Sequence, residues 1–432
     1  TAVGYDALTV NTTGTDSTAV GGFALKANTT GNRNTAVGYT SLFSNVTGNN
    51  NTALGSGALY TNTANGNTAV GRNAAFATTS GGANTAIGKE ALASNTTGTN
   101  NVAVGNEALD ANTTATENVA VGASALGANT GSYNTAVGSS ALLSNTTSQY
   151  NTAVGRSALR SQTTGVRNTA MGANTAQAIT TGSYNIAVGM QSLETNITGD
   201  NNTALGYSAL QASTASNNTA VGFRSLYVNT SGTSNVAVGY GTLDANTTAS
   251  NNTAVGMSAL GANTTGVSNT AVGKDALEAS TTGSYNAALG ELTLTANTTG
   301  YNNVGLGRAA LFGNTTGHNN TSVGYNSLLS NTTGTQNVAI GSLALDAATT
   351  VSNNVAIGYA ALTSSTTGAA NVAVGSTAMD SASTADGSVA IGFNALGSVT
   401  SGDYNTAVGQ DAGAAMTTNS GLAAVGYQAL AN

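Results

Sequence analysis

The sequence contains no proline, cysteine or tryptophan, and only 6% of its 432 residues are charged. Without cysteine no disulfide can form. A globular enzyme typically has about a quarter of its residues charged, so this composition argues against one. Disordered chains are usually highly charged or proline-rich, which this chain is not. The chain has no apolar run of about 20 residues for a membrane span and no Lys/Arg cluster for nucleic acid. We therefore expect an ordered protein without nucleic-acid binding or membrane insertion.

Glycine, by contrast, is abundant, with 56 copies, and it recurs at a fixed interval. A glycine closes an Ala-Val-Gly-like triplet 26 times between Gly4 and Gly426, in 22 steps of 17 residues and three of 16. The consensus rung is Asn-Thr-Ala-Val-Gly-x-x-Ala-Leu-x-x-Asn-Thr-Thr-Gly-x-x, and 34–50 is a typical copy. We number its positions 1 to 17 from the first Asn. The three short rungs lose their residue after position 11, where a surface turn can shorten.

The repeat favours strands over helices. Glycine in every rung, β-branched residues beside it and apolar runs of three or four residues all disfavour a helix. Helical repeats usually need more than about 30 residues per unit. We therefore predict an all-β parallel β-solenoid of 26 rungs, forming one continuous array over residues 1–432. We interpret this array as part of a longer fibre.

Alternation along each strand predicts which residues share a face. Thr at position 2 and Val at position 4 lie on one face, with Ala and Gly on the other. We expect Val37 and Leu42 to form the core of their rung, Gly38 to make a turn, and Asn34 to stack its amide on neighbouring rungs. The small Ala face indicates close approach of another backbone, either across the coil or from a neighbouring chain. Rungs without the Leu should be weaker; they carry Ala75, Ala176, Met379 and Gly413.

Two large apolar side chains per rung make a thin core. Their burial contributes about 3–6 kcal/mol, whereas ordering a rung costs about 1–2 kcal/mol per residue. Lateral association would bury more apolar surface. We therefore favour a side-by-side homotrimer, with a single-chain solenoid as the alternative, and we expect self-association or end-to-end filaments.

The short motifs NVAVG at Asn101–Gly105 and NVAIG at Asn337–Gly341 carry a resemblance. They resemble the head repeats of YadA-like trimeric autotransporter adhesins, and they are similar to repetitive shafts of phage tail fibres and bacterial surface proteins. The resemblance implies a left-handed parallel β-roll, three chains side by side, and an extracellular, cell-surface or virion tail-fibre location. The regular 17-residue rung with Asn-Thr-Thr-Gly departs from those heads, and the means of attachment stays open.

The sequence offers little for catalysis. His318 is the only histidine, so no Ser-His-Asp or Cys-His set is expected. Acidic residues such as Glu107 and Asp110 could meet, but Asp does not recur with the rungs as it does in calcium-binding β-rolls. The glycines are not followed by the Lys-Ser/Thr of a phosphate loop. We therefore predict no enzyme activity, no cofactor and no metal.

Binding functions stay open as alternatives. Asn-x-Thr/Ser sequons would line one side of the coil and allow N-glycosylation; they include Asn11, Asn28, Asn45, Asn95, Asn112, Asn145, Asn196, Asn263, Asn297, Asn314 and Asn331. Stacked Thr-Thr pairs suggest an ice-binding array, and Tyr residues at position 6 suggest contacts to host-surface glycans. We predict a structural extracellular fibre or adhesin shaft. The alternative is a glycan-coated or ligand-binding single-chain filament, its ligand a glycan or ice.

Overall fold

The computed structural model describes residues 1–431, which form short strands joined by turns. The chain comprises two compact units, 1–217 and 218–432. The first unit contains thirteen strands: β1 (Ala2–Val3), β2 (Thr18–Val20), β3 (Thr35–Val37), β4 (Thr52–Leu54), β5 (Thr68–Val70), β6 (Thr85–Ile87), β7 (Val102–Val104), β8 (Val119–Val121), β9 (Thr135–Val137), β10 (Thr152–Val154), β11 (Thr169–Met171), β12 (Ile186–Val188) and β13 (Thr203–Leu205).

The second unit repeats this arrangement with thirteen further strands: β14 (Thr219–Val221), β15 (Val236–Val238), β16 (Thr253–Val255), β17 (Thr270–Val272), β18 (Ala287–Leu289), β19 (Val304–Leu306), β20 (Thr321–Val323), β21 (Val338–Ile340), β22 (Val355–Ile357), β23 (Val372–Val374), β24 (Val389–Ile391), β25 (Thr406–Val408) and β26 (Ala423–Val425). No helix long and apolar enough to cross a bilayer occurs within 1–431.

Within each unit, consecutive strands pair in parallel and in the register of the repeat. Thr35 lies beside Thr52, Ala36 beside Ala53, and Val37 beside Leu54. The same order recurs in the second unit, where β21 pairs with β22 through Ala339 and Ala356. The prediction of a parallel β-solenoid with one strand per rung is therefore confirmed.

The interior of each rung is made by alanine, leucine and asparagine. In the rung 34–50, Ala36 and Leu42 have no exposed surface, and Asn34 and Asn45 are equally buried. The expectation that Leu42 forms core is confirmed. The Ala face is small because it packs against other residues of its own coil. A Cβ at Gly305, which replaces this Ala in one rung, would lie 3.6 Å from Leu294 Cδ1.

The prediction that Val37 lies in the core is wrong. Its side chain is half-exposed, and position 4 is buried in none of the 26 strands. The alternation along the strand is as expected, but the coil closes over the Ala face. Position 2 lies on the same outer face and is likewise never buried. The core of one chain therefore contains fewer than the two large apolar residues per rung that the sequence analysis assumed.

Two asparagine ladders run through this interior. At position 1, the backbone N–H of Asn51 donates to Asn34 Oδ1 at 3.0 Å, and Asn34 Nδ2 donates across the coil to the Gly48 carbonyl at 2.8 Å. At position 12, Asn45 Nδ2 donates to Asn28 Oδ1 at 3.1 Å and to the same Gly48 carbonyl at 3.0 Å. Since buried polar groups need partners, these amides satisfy the turns that close the coil.

Position 5 requires glycine. Gly38 has φ +135°, and a Cβ there would lie 2.6 Å from the carbonyl carbon of Gly55 in the next rung. The turn predicted at Gly38 is thus also a close contact between backbones. More surprising is Leu42 at φ +49°, a left-handed conformation that recurs at position 9. Such a conformation costs a non-glycine residue roughly 1–2 kcal/mol, and full burial of the leucine offsets it.

The rungs that lack this leucine differ in how the space is filled. Ile179 and Met416 replace the position-12 Asn in the rungs of Ala176 and Gly413, and both are buried. A Cβ at Gly413 would lie 2.8 Å from Met416 Cε, so the methionine occupies the missing leucine's place. The rung of Ala75 has only Thr78 there, whose buried hydroxyl has no partner.

We therefore expect Ala75→Leu to stabilise its rung and Gly413→Leu to destabilise its own. The added leucine at position 75 restores the stack between Leu59 and Leu92 and should contribute about 1–2 kcal/mol. At position 413 it collides with Met416. Hydrogen exchange of the flanking amides measures both changes. Faster exchange in Ala75→Leu would show that the space at this rung is already filled.

Candidate functional site

The sequons named in the sequence analysis occupy position 12, and their side chains point inward. Apart from Asn11 in the first rung, each is fully buried. Asn314 is typical: its Nδ2 donates to Asn297 Oδ1 at 2.7 Å and to the Gly317 carbonyl at 3.0 Å. A sugar on this nitrogen would have to occupy the interior of the coil. The hypothesis of a glycan-coated flank built on these positions is therefore wrong for Asn28, Asn45, Asn95, Asn112, Asn145, Asn196, Asn263, Asn297, Asn314 and Asn331.

Other sequons, which the sequence analysis did not single out, do reach the surface. Asn50, Asn251 and Asn319 stand at position 17, are exposed, and adopt φ values of +58°, +62° and +58°. Each is followed by a position-1 Asn and a position-2 Thr. The Asn-Asn-Thr pattern was visible in the sequence, but only the closed coil shows which of its two asparagines faces outward.

The two threonines of Asn-Thr-Thr-Gly have different environments. The position-13 hydroxyl is used within the coil, as when Thr315 Oγ1 donates to the Thr332 carbonyl of the next rung at 3.0 Å. Its neighbour Thr316 at position 14 is exposed. The two hydroxyls therefore do not form a double rank on one flat face, which is the arrangement that an ice-binding array would need.

His318 and the acidic pair lie in separate surface turns. The His318 ring stacks on Tyr301 with 4.6 Å between centroids, and its Nδ1 lies 3.0 Å from Asn319 Nδ2. Glu107 and Asp110 line one surface hollow. Burial raises the pKa of Asp110, and the nearby Glu107 charge adds to the increase. Among residues 1–431, no three His, Asp or Glu side chains are placed to hold a metal ion.

Aromatic side chains form short ladders on the turns. At position 10, the Tyr60 ring stacks between Phe43 and Phe76, with centroid distances of 5.1 and 5.0 Å. At position 6, Tyr39 packs edge-on against Phe23 at 5.8 Å and is 59% exposed. The position-10 ladder was not foreseen, although the aromatic residues recur there in three successive rungs. Because the stacked rings cover each other's faces, the ladder leaves mainly ring edges for a ligand.

The outer face of the strands is a further surface feature, which recurs in both units. Position 2 is Thr, Val, Ile or Ala, and position 4 is Val, Leu, Ile or Met, so neither position is ever charged in the 26 rungs. Several position-4 side chains are well exposed, among them Ile87 at 40% and Leu289 at 49%. Charged residues instead occupy the turns, where Arg72 Nη2 contacts Glu90 Oε1 at 2.7 Å. We call the surface formed by positions 2 and 4 the Thr/Val face.

A surface without charges that exposes apolar side chains in successive rungs is typical of a protein–protein contact. Its columns repeat with each rung, so a second copy with the same spacing would match it. Comparison with known proteins adds no relative from which a ligand or partner could be inferred, since the chain matches no protein-family model and no curated protein.

Proposed function

We propose that this chain is the shaft of a structural extracellular fibre or adhesin, in which copies associate side by side through the Thr/Val face. The uncharged, partly exposed position-2 and position-4 columns carry this proposal. Each Val, Ile or Leu at position 4 would gain burial on association, at about 25 cal/mol per Å² of apolar surface. Summed over many rungs, this gain would supply the core that a single chain lacks.

A side-by-side homotrimer is the assembly that we favour. Three copies around one axis would cover all three Thr/Val faces and leave the charged turns in water. The 26 near-identical rungs suit a role in projecting and spacing, because every rung contacts only its neighbours and the length is set by their number. End-to-end contacts between such assemblies would extend the filament. Host-surface glycans are the ligand class that we propose for such a fibre.

The test is the native mass of the full chain, by light scattering, and its cross-section by cryo-electron microscopy. At high salt, which screens contacts between exposed charges, we expect a mass of three chains for the unmodified protein. Val104→Lys should reduce this mass to that of one chain, because it places unpaired ammonium groups in the buried contact. Thr97→Lys, at the exposed position 14, is the matched control and should leave the assembly intact.

Circular dichroism should show the same strand content in both variants, since Val104 is half-exposed in one chain. A single-chain mass for the unmodified protein would overturn the proposed assembly. A three-chain mass that is insensitive to Val104→Lys would instead place the contact on another face.

A further inference from the structure

Two rungs of the first unit carry opposite sets of three charges. The rung 101–117 contains three acids and no cation: Glu107, Asp110 and Glu117. The rung 151–167 contains three cations and no acid: Arg156, Arg160 and Arg167. Between residues 118 and 193 these arginines are the only charged residues. In a chain with 6% charged residues, such a concentration calls for a physical explanation.

Among the described residues 1–431, these arginines have no ionic partner. Six of the ten Lys and Arg residues lie within 4.0 Å of a carboxylate: Lys26, Arg72, Lys89, Arg224, Lys274 and Arg308. Of the four others, three belong to the rung 151–167, and all three are exposed. Arg167 packs against the rings of Tyr150 and Tyr184, with 5.5 Å to each centroid.

At position 10, four successive rungs carry an acidic residue at one end, a basic residue at the other end and two uncharged residues between them. In chain order the residues are Asp110, Gly127, Leu143 and Arg160, which we call the 110–160 edge. With about 4.8 Å between stacked strands, Asp110 and Arg160 are about 14 Å apart, beyond the reach of an ion pair. That separation also exceeds the Debye length of about 8 Å at physiological salt. The two charges therefore cannot neutralise each other within one chain.

The centre of this edge has a hollow beside a partly exposed apolar side chain, Leu143. Gly127 contributes no side chain, and a Cβ there would lie 3.2 Å from Leu143 Cδ1 and 3.6 Å from Asp110 Oδ1. The surface hollow around it has a volume of about 490 Å³ and is lined by Glu107, Asp110, Ala111, Ser124, Gly127, Ala128, Leu143 and Ser144. The edge thus carries an acid, a hollow, an apolar side chain and an arginine in that order.

We propose that a second copy of this chain binds the 110–160 edge in an antiparallel arrangement, about a two-fold axis between Gly127 and Leu143. Reversing the edge places Arg160 of the second copy opposite Asp110 and Leu143 of the second copy opposite the Gly127 hollow. In a two-fold contact every such pair occurs twice, so all four positions are matched. Parallel pairing in register would instead place Asp110 opposite itself and Arg160 opposite itself.

This contact goes beyond the proposed shaft and does not depend on it. Position 10 lies on the turn after the strand, so the Thr/Val face stays free for lateral assembly. The antiparallel contact would join two single chains and double their mass, or it would join side-by-side assemblies, each of which carries the edge once per chain. It should weaken as salt rises, because exposed ion pairs are screened, whereas association through the uncharged Thr/Val face should not.

Sedimentation velocity of the full chain, over a concentration series at low and high salt, tests the proposal. We expect Arg160→Asp and Asp110→Arg each to weaken the doubling of mass by about tenfold, because both ion pairs become repulsive. An equimolar mixture of the two variants should restore it, since each Asp then faces an Arg. The double variant Asp110→Arg/Arg160→Asp should also associate normally. Arg167→Glu, an equally exposed arginine of the same rung, is the matched control and should have no effect.

Failure of the unmodified chain to double its mass at low salt would overturn the proposal, as would equal association of all variants. Sensitivity to Arg167→Glu but not to Arg160→Asp would assign the contact to position 17, where Glu117, Tyr133, Tyr150 and Arg167 follow one another, and would also overturn it. The trimer test is independent, because Val104→Lys does not alter the 110–160 edge.

The orientation can be tested by cross-linking, because the chain contains no cysteine. Chains with Gly127→Cys mixed with chains with Leu143→Cys should form disulfide-linked heterodimers. Gly127 does not adopt positive φ, and the nearest atom to an added Cβ is the end of a flexible side chain, Leu143 Cδ1 at 3.2 Å. Disulfide-linked homodimers of each variant alone, without heterodimers, would demonstrate parallel pairing and contradict the antiparallel arrangement.

Discussion

Gly105→Ala should open the stack locally and lower the free energy of unfolding by about 2–6 kcal/mol. Gly105 has φ +139°, and an added Cβ would lie 2.5 Å from the carbonyl oxygen of Gly122 in the next rung. The strained backbone costs about 1–3 kcal/mol and the overlap about 1–3 kcal/mol more. Because Gly105 N–H donates to the Ile87 carbonyl at 2.7 Å, relief by backbone movement would break a ladder hydrogen bond.

Hydrogen exchange is the appropriate measurement, since a repeat array need not unfold as one cooperative unit. Amides of the rungs on both sides of Gly105 should lose protection, and distant rungs should keep it. Gly241→Ala is the matched control: Gly241 has φ +59° but no atom within 4 Å of an added Cβ. Alanine already adopts this conformation at Ala309 and Ala360, with φ +56° and +52°. Comparable loss of protection in both variants would refute the role of the close contact.

Asn101→Leu should destabilise its rung far more than Asn112→Leu, although both side chains are buried and donate to the Ala115 carbonyl. Asn101 Oδ1 also accepts from the backbone N–H and the Nδ2 of Asn118, at 3.0 and 3.3 Å. Leucine would leave both donors buried without an acceptor, at about 1–3 kcal/mol each. Asn112 Oδ1 has no hydrogen-bond partner, whereas its Nδ2 also donates to Asn95 Oδ1 at 3.0 Å. Leucine would therefore leave Asn95 Oδ1 unpaired but remove the unpaired Asn112 Oδ1, and it would gain apolar burial. We expect a change within about 1 kcal/mol there.

The natural variation among rungs agrees with this contrast. Position 12 already carries Ile179, Val399 and Met416, all of them buried. At position 1, Asn is replaced by Ser17 and Ser388, whose hydroxyls still accept from the N–H of Asn34 at 3.2 Å and of Asn405 at 3.1 Å. It is also replaced by Leu422, in the last of the 26 rungs. Chemical denaturation of the two leucine variants, with hydrogen exchange to locate the change, makes the comparison. Equal destabilisation by the two substitutions would show that the position-1 acceptor has no special importance.

Much of the architecture was predictable from the sequence. The interval between glycines, the single strand per rung and the in-register stacking follow from a repeat in which each residue meets its equivalent one rung away. The short rungs, such as 51–66, lose their residue outside the strand, as surface turns allow. The inward Leu42 and the stacked Asn34 were also predicted, because leucine avoids water and amides can pair up and down a stack.

Which face lies inside was decided only by the tertiary structure. Alternation separates Val37 from Ala36 but does not say which of them the coil encloses. Three left-handed residues per rung, such as Thr40, Leu42 and Asn50, bend the chain so that only small side chains fit beneath the strand. Local propensity would not assign that conformation to leucine or threonine. The same closure buries the position-12 asparagines that the sequon pattern had placed on the surface, and it sets the residues of the 110–160 edge in one line along the surface.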